Sequence, residues 1–200
     1  MTPRSRSNNR KQEILQEAAC LFASKGYDGT TIRNVGNACD ITEAAIYRHF
    51  TGKADLYEKA VRYKAQQHDL RGELAEHAGL GTIEEALKSV AHHILSLADR
   101  DPDLVRFMFS SHLEDGHGNV TLFIEVRSPY IDFVRDEITA RIKTGEVREV
   151  DPFLTGRCFV GMVIDCALSS GIWSDVTGIQ FNADNVVCNN VPIFARGLCV

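Results

Sequence analysis

Thr42, Tyr47, Arg48, His49 and Lys53 gather hydroxyl, guanidinium, imidazole and ammonium donors into one short stretch of the chain. All of these groups bind phosphate oxygens. A hydroxyl or ring N–H gives one hydrogen bond, Arg offers a planar fork that also fits guanine, and Lys acts as a point charge. Ala44, set among them, is small enough to let a helix lie close to base edges. Thr31 and Arg33, a little upstream, add a hydroxyl and a second guanidinium. Such a set suits recognition of a polyanion.

These donors need a frame that turns them to one side. Residues 30–50 read as two short helices joined by a tight turn. Thr30 is the expected N-cap of the first, and Ile32, Val35 and Ala38 follow at helical spacing. Cys39-Asp40-Ile41 breaks the pattern, with Asp40 suited to the left-handed position of the turn. Thr42 is the expected cap of a second helix running from Glu43 to about Phe50. Ala45, Ile46 and Phe50 should face inward, leaving Thr42, Glu43, Ala44, Tyr47, Arg48 and His49 outside. This is a helix-turn-helix pattern, whose second helix enters the DNA major groove. The spacing also suits a helical hairpin of a bundle, with Tyr47 and Arg48 as ordinary surface.

The words around it are more specific. ILQEAACLFASKGYDGTTIRNV, then ITEAAIYRHFTGKADLYEKAV, resembles the TetR family of bacterial transcriptional regulators over about residues 10–65. The matching pieces are Ala18-Ala19, Leu21-Phe22, Lys25-Gly26-Tyr27, Thr30-Thr31-Ile32, Ile46-Tyr47-Arg48-His49-Phe50, Lys53 and Leu56-Tyr57. Gly36 and Cys39 stand where the family prefers alanine, Asp40 replaces the turn glycine, and Ala44 replaces a glycine of the second helix. Gly36 is expected to weaken its helix by roughly 1 kcal/mol relative to alanine. The resemblance implies DNA contacts from Thr31, Arg33, Thr42, Ala44, Tyr47, Arg48, His49 and Lys53. It also implies a homodimer formed by the last two helices of each chain, a palindromic double-stranded operator and a small-molecule effector.

The charge distribution fits that division of labour. Residues 1–70 carry 11 Lys/Arg against 8 Asp/Glu, and residues 71–200 carry 11 against 19, so charges of +3 and −8 make up the net −5. A polyanion should therefore meet the N-terminal part. Arg4, Arg6, Arg10 and Lys11 form a basic arm that suits phosphates, or equally a solubilising tail. No apolar run approaches the ~18 residues of a membrane span; Val160–Ile164 is ended by Asp165. With no apolar signal region behind the basic start, a cytoplasmic protein with no membrane partner is expected. The six cysteines form no C-x-x-C pair and are expected as reduced, small hydrophobic residues.

The whole chain reads as all-α. A three-helix DNA-binding domain is expected over residues 9–52, with a first helix from about Asn9 to Ser24 ended by Gly26. A linker helix should span about residues 53–71, and a larger ligand-binding and dimerisation domain residues 72–200. Thr82-Ile-Glu-Glu85 is a capping box, and Asp101-Pro102 and Asp151-Pro152 are helix starts. Gly116 and Gly118 should end one helix, and another should run from about Val120 to Lys143 with Pro129 kinking or interrupting it. Asn182 or Asp184 should open the last helix, which Pro192 should kink. Val163 and Val187 are expected on the dimer face. Candidate walls of an effector pocket are Phe107, Met108, Phe109, Phe123, Phe133, Phe159, Met162 and Trp173.

Enzyme chemistry finds no residues to carry it: there is no G-x-S-x-G, P-loop or G-x-G-x-x-G. His112-Leu-Glu114-Asp-Gly-His117 looks metal-like, but a five-residue spacing on a helix puts its histidines on different faces. No catalytic site, metal or cofactor is expected. The function expected is a ligand-responsive DNA-binding regulator, a repressor released by a small, largely apolar effector. The alternative is a small-molecule binding module with a vestigial DNA-binding domain.

Overall fold

A computed structural model describes residues 3–110, 120, 123–178 and 182–200, leaving out the side chains of residues 3–8, 108–110, 123 and 170–173. His112, Glu114, Gly116, His117 and Gly118 therefore lie outside the described residues, as do the side chains of Met108, Phe109, Phe123 and Trp173. Among the described residues the secondary structure is helical, apart from one isolated antiparallel bridge between Val147 and Cys199. The chain forms two compact units, residues 1–68 with 106–125, and residues 69–105 with 126–200.

The first unit is built on α1 (Pro3–Gly29), α2 (Ile32–Ala38), α3 (Glu43–Tyr47) and α4 (Lys53–Ala65). Ile14, Leu15, Ala18, Ala19 and Phe22 of α1 are buried, as their spacing requires. Leu56, Tyr57, Ala60 and Val61 of α4 pack against this stripe. Gly26, at φ 72, breaks the helical path of α1 where a side chain would be strained. Thr30 is not the cap of α2. It is fully buried, and its hydroxyl donates to the Leu21 and Gly26 carbonyls at 3.1 and 2.9 Å. Thr31 is the cap instead, in a reciprocal box with Asn34.

Two helices of this unit end sooner than their sequence suggests. The α-helical part of α3 stops at Tyr47, although His49 and Phe50 still donate to the Ile46 carbonyl at 2.9 and 3.1 Å. α4 stops at Ala65 rather than near residue 71, and Leu70 opens a separate helix capped by Asp69. Between Lys53 and Leu70 there is no Gly or Pro to announce that stop.

The second unit contains α5 (Leu70–Ala75), α6 (Ile83–Arg100), the start of α7 (Pro102–Ser110), α8 (Ser128–Thr144), α9 (Pro152–Thr177) and α10 (Ala183–Leu198). Ile83, Leu87, Val90 and Ile94 of α6 meet the apolar faces of α8, α9 and α10. The expected caps are all present: Thr82 with Glu85, Asp101, Asp151 and Asn182. Pro129 falls in the first turn of α8, behind a π-helical turn at Phe123–Arg127, where its missing N–H is harmless. α10 continues through Pro192 to Leu198. α9 comes very near α8 at Gly156, where an added Cβ would sit 3.2 Å from the Ile131 carbonyl oxygen.

Two polar networks cross this core. Glu137 and Arg141 of α8 form a buried ion pair. Glu137 also accepts from the Gly79 N–H at 2.8 Å, and Arg141 donates to the Gly81 carbonyl at 3.1 Å, so the loop before α6 is fastened to α8. His93 of α6 hydrogen-bonds the buried Tyr130 hydroxyl at 2.8 Å through Nδ1 and the Glu73 carboxylate through Nε2. Burial pushes the Tyr130 hydroxyl pKa well up, with the Glu73 charge adding to it, so Tyr130 stays neutral.

α9 departs from the expectation about apolar runs. Pro152–Ser169 is by length and composition long and apolar enough to cross a membrane, and only 28% of it is buried. The run looks interrupted in sequence because Arg157 and Asp165 divide it, yet two charges in eighteen residues leave it apolar on average. Val163 and Val187 are buried within their own unit and so present nothing to a partner. Among the described residues of α9 and α10, the large apolar side chains that face outward include Phe153, Leu154, Val176 and Ile193.

Candidate nucleic-acid interface

α3 owes its position to the turn before it. Asp40 has φ 52, a left-handed value that a short polar side chain tolerates. Gly36 lies beneath this turn, and the Ile41 N–H donates to its carbonyl at 2.9 Å. A Cβ on Gly36 would come within 2.9 Å of the Ile41 carbonyl oxygen. Glycine here is thus a packing requirement of the turn, rather than only the weak helix former expected from its propensity. Ile46 and Phe50 are buried and fix α3 against the unit's core.

With that face buried, the opposite one is open. Thr31, Arg33, Thr42, Ala44, Tyr47 and Arg48 are all exposed, and His49 is half-buried. Tyr47 stands out, as a large aromatic ring left 54% exposed. Tyr47 ends α3, and the exposed Arg48 is its C-cap. Thr42 accepts the Ala45 N–H at 3.3 Å, and an accepting hydroxyl still has its own O–H to give. Thr31 is more committed: it accepts the Asn34 N–H at 3.1 Å and donates to Asn34 Oδ1 at 2.8 Å.

Lys53 opens α4 directly after the Gly52 cap, which offers no side chain to the first N–H groups. The Lys53 charge therefore stands at a helix start with no side-chain cap, where the helix dipole also attracts an anion. The Lys53 ammonium lies 4.2 Å from the centre of the Tyr27 ring. Asp55 accepts the Thr51 N–H at 2.9 Å and pairs with Lys59 at 2.6 Å. Burial alone would raise the Asp55 pKa, but the hydrogen bonds from Lys59 and Thr51 outweigh it and hold the carboxyl below its usual value.

Helical spacing shows neither Tyr27 as the neighbour of Lys53 nor Asn34 as the partner of Thr31. The S/T-x-x-E/Q capping signature overlooks Thr31, because Asn34 stands in the place of its acid. Of the pocket candidates, Phe107 is buried in the first unit, Phe133 and Phe159 are buried in the second, and Met162 is half-buried there. The second unit does contain a cleft of about 200 Å³ lined by Leu95, Asp99, Cys166, Asn182 and Val186, and a more open groove of about 560 Å³ lined by His77, Lys88, His92 and His93. No cluster of three His, Cys, Asp or Glu groups suited to a metal occurs among the described residues.

The family model for bacterial regulatory proteins of the tetR family matches residues 14–60, the stretch that builds this interface. Over 52 residues the chain is 40% identical to the biofilm operon icaADBC HTH-type negative transcriptional regulator IcaR of Staphylococcus aureus (strain Newman). The IcaR of Staphylococcus epidermidis is 39% identical over 51 residues. Each match covers 26% of this chain and 28% of the relative, so the chain spans under a third of the length of these curated relatives. Solved structures extend the likeness of fold to nearly the whole chain. AibR, in complex with isovaleryl coenzyme A and operator DNA, matches with a TM-score of 0.71 at 22% identity, covering 92% of this chain and 97% of its own. FadR from Bacillus subtilis, in complex with stearoyl-CoA, gives 0.71 at 18% identity over 92% and 97%. A regulatory protein of the tetR family from Rhodococcus RHA1 gives 0.72 at 17% over 96% and 98%. Residues 14–60 thus match the tetR family of bacterial regulatory proteins in sequence, and nearly the whole chain shares the all-α fold of these solved regulators.

Proposed function

We propose that the chain is a DNA-binding transcriptional regulator rather than an enzyme. It acts in the cytoplasm as a homodimeric repressor that a small, largely apolar effector releases from a palindromic operator. The observation that carries this reading is the outer face of α3, where Tyr47 and Arg48 stand exposed on a helix whose other side is locked by Ile46 and Phe50. Tyr47, Arg48, His49, Thr42 and Lys53 hold phosphates and Ala44 lies against base edges, while Thr31 and Arg33 reach the flanking backbone. The outward apolar residues Phe153, Leu154 and Ile193 meet a second copy, so that two recognition helices are presented together. A binding module with a vestigial DNA domain would have no use for this exposed set.

Fluorescence anisotropy with a labelled mixed-sequence duplex tests the DNA reading. Lys53→Ala should weaken binding to all sequences and flatten the salt dependence by about one counterion, and Arg48→Ala should act similarly. Unchanged slopes in both variants count against the interface. The effector panel starts from acyl-CoA thioesters, because AibR and FadR were solved with isovaleryl coenzyme A and stearoyl-CoA. DNA and effector should weaken each other by the same factor, typically 5- to 150-fold. Equal effector affinity with and without DNA removes the switch and leaves the DNA reading intact.

A further inference from the structure

We infer that Tyr27 is a positioning residue for DNA binding: the face of its ring holds the Lys53 ammonium at the start of α4, where it meets a backbone phosphate. The inference rests on the DNA-binding reading above and adds to it a residue that acts through Lys53.

A lysine side chain carries its charge on a flexible four-carbon stem, and ordering it on contact with phosphate loses rotamer freedom. An ammonium over an aromatic face is attracted by the ring's negative quadrupole and loses part of that freedom in advance. Lys53 has this arrangement, 4.2 Å from the Tyr27 ring centre. The ring is itself clamped. Tyr57 meets it edge-on at 5.1 Å between centroids, and Phe22 lies nearly parallel to it at 6.1 Å. Tyr57 and Phe22 also pack on each other at 4.9 Å, and both are buried. Gly26 completes the device, since its φ of 72 turns the chain just before Tyr27. The platform under Lys53 is thus built from α1 and α4 alone and needs no DNA to form.

A ring that only fills space would act on folding, whereas a ring that aims Lys53 must act through Lys53. The test uses the full-length protein and a labelled mixed-sequence duplex of about 30 base pairs at low salt. Tyr27→Leu should weaken binding roughly 3- to 5-fold, and Tyr27→Phe, which keeps the ring face, should bind like the unaltered chain. In a Lys53→Ala background, Tyr27→Leu should produce no further loss. NMR of the DNA-free protein gives an independent readout. The Lys53 ε-methylene protons should be shifted upfield by the ring, equally with Phe at position 27, and the shift should vanish in Tyr27→Leu. An equal loss from Tyr27→Leu with and without Lys53, or no upfield shift in the unaltered chain, overturns the role of Tyr27 and leaves the DNA reading standing. No effect of Lys53→Ala on DNA affinity overturns the role of Tyr27, and no effect of Arg48→Ala beside it overturns the DNA reading as well.

Discussion

The Ile41 carbonyl oxygen lies 2.9 Å from where a Cβ on Gly36 would stand. The atom in the way is backbone, and the Ile41 N–H is itself bonded to the Gly36 carbonyl. Helix propensity alone predicts that Gly36→Ala gains about 1 kcal/mol. The close approach reverses the sign, because overpacking against a backbone atom typically costs about 1–3 kcal/mol, more than that gain over most of the range. Urea denaturation should show Gly36→Ala destabilised by about 1 kcal/mol net. A more stable variant would mean that the turn relaxes freely.

The Glu137–Arg141 pair offers a sharper energetic test. Each side chain is only 7% exposed. Removing one partner leaves the other charge buried, at a cost of about 3–5 kcal/mol, whereas replacing both with apolar residues is often nearly neutral. Arg141→Leu should therefore be less stable than the double variant Glu137→Leu/Arg141→Met. The opposite order would show that the Gly79 N–H bond to Glu137, which only the double variant loses, outweighs the buried unpaired charge.

The cysteines divide by environment. Cys158, Cys188 and Cys199 are exposed and should react readily with a disulfide reagent at mildly alkaline pH. Burial, with help from the Glu17 and Glu13 carboxylates, pushes the Cys39 thiol up to about 11. Cys39 should therefore react only when the protein unfolds. The sign for stability follows from the raised value. The contribution of neutral Cys39 is complete below the unfolded pKa of about 8.5, and it is lost as pH rises from there toward 11. Cys39→Ala should reduce the alkaline loss of stability, and an identical pH profile would remove Cys39 as its cause.

Val163 and Val187 show what an apolar sequence leaves open. α9 is apolar on most sides, so periodicity cannot say which side faces its own core, and the structure buries both valines there. The dimer test moves to the outward residues. Leu154→Glu and Ile193→Glu should give folded monomers at micromolar concentration by light scattering. Full dimerisation of both would put the partner on another face.

Much of the rest was legible for definite reasons. Caps such as Thr42, Thr82 with Glu85, Asp151 and Asn182 are local, so sequence alone locates them. The choice between Thr30 and Thr31 is not local, because the buried bonds from Thr30 to Leu21 and Gly26 depend on how α1 ends. The stop of α4 at Ala65 carries no Gly or Pro signal. The outward set on α3 could be read because Ile46 and Phe50 mark its inner side. Lys53 over Tyr27 could not, since it depends on α1 and α4 packing together.

Selection from a pool of random-sequence duplexes tests the central claim most directly, since it needs neither a known operator nor a known effector. A dimer that reads DNA through α3 should enrich an inverted repeat whose half-sites are about 10 base pairs apart centre to centre, or a multiple of that. Arg48→Ala and Lys53→Ala should lower the recovery. No enrichment over the starting pool, or recovery that both variants leave unchanged, would contradict a regulator that reads DNA through α3.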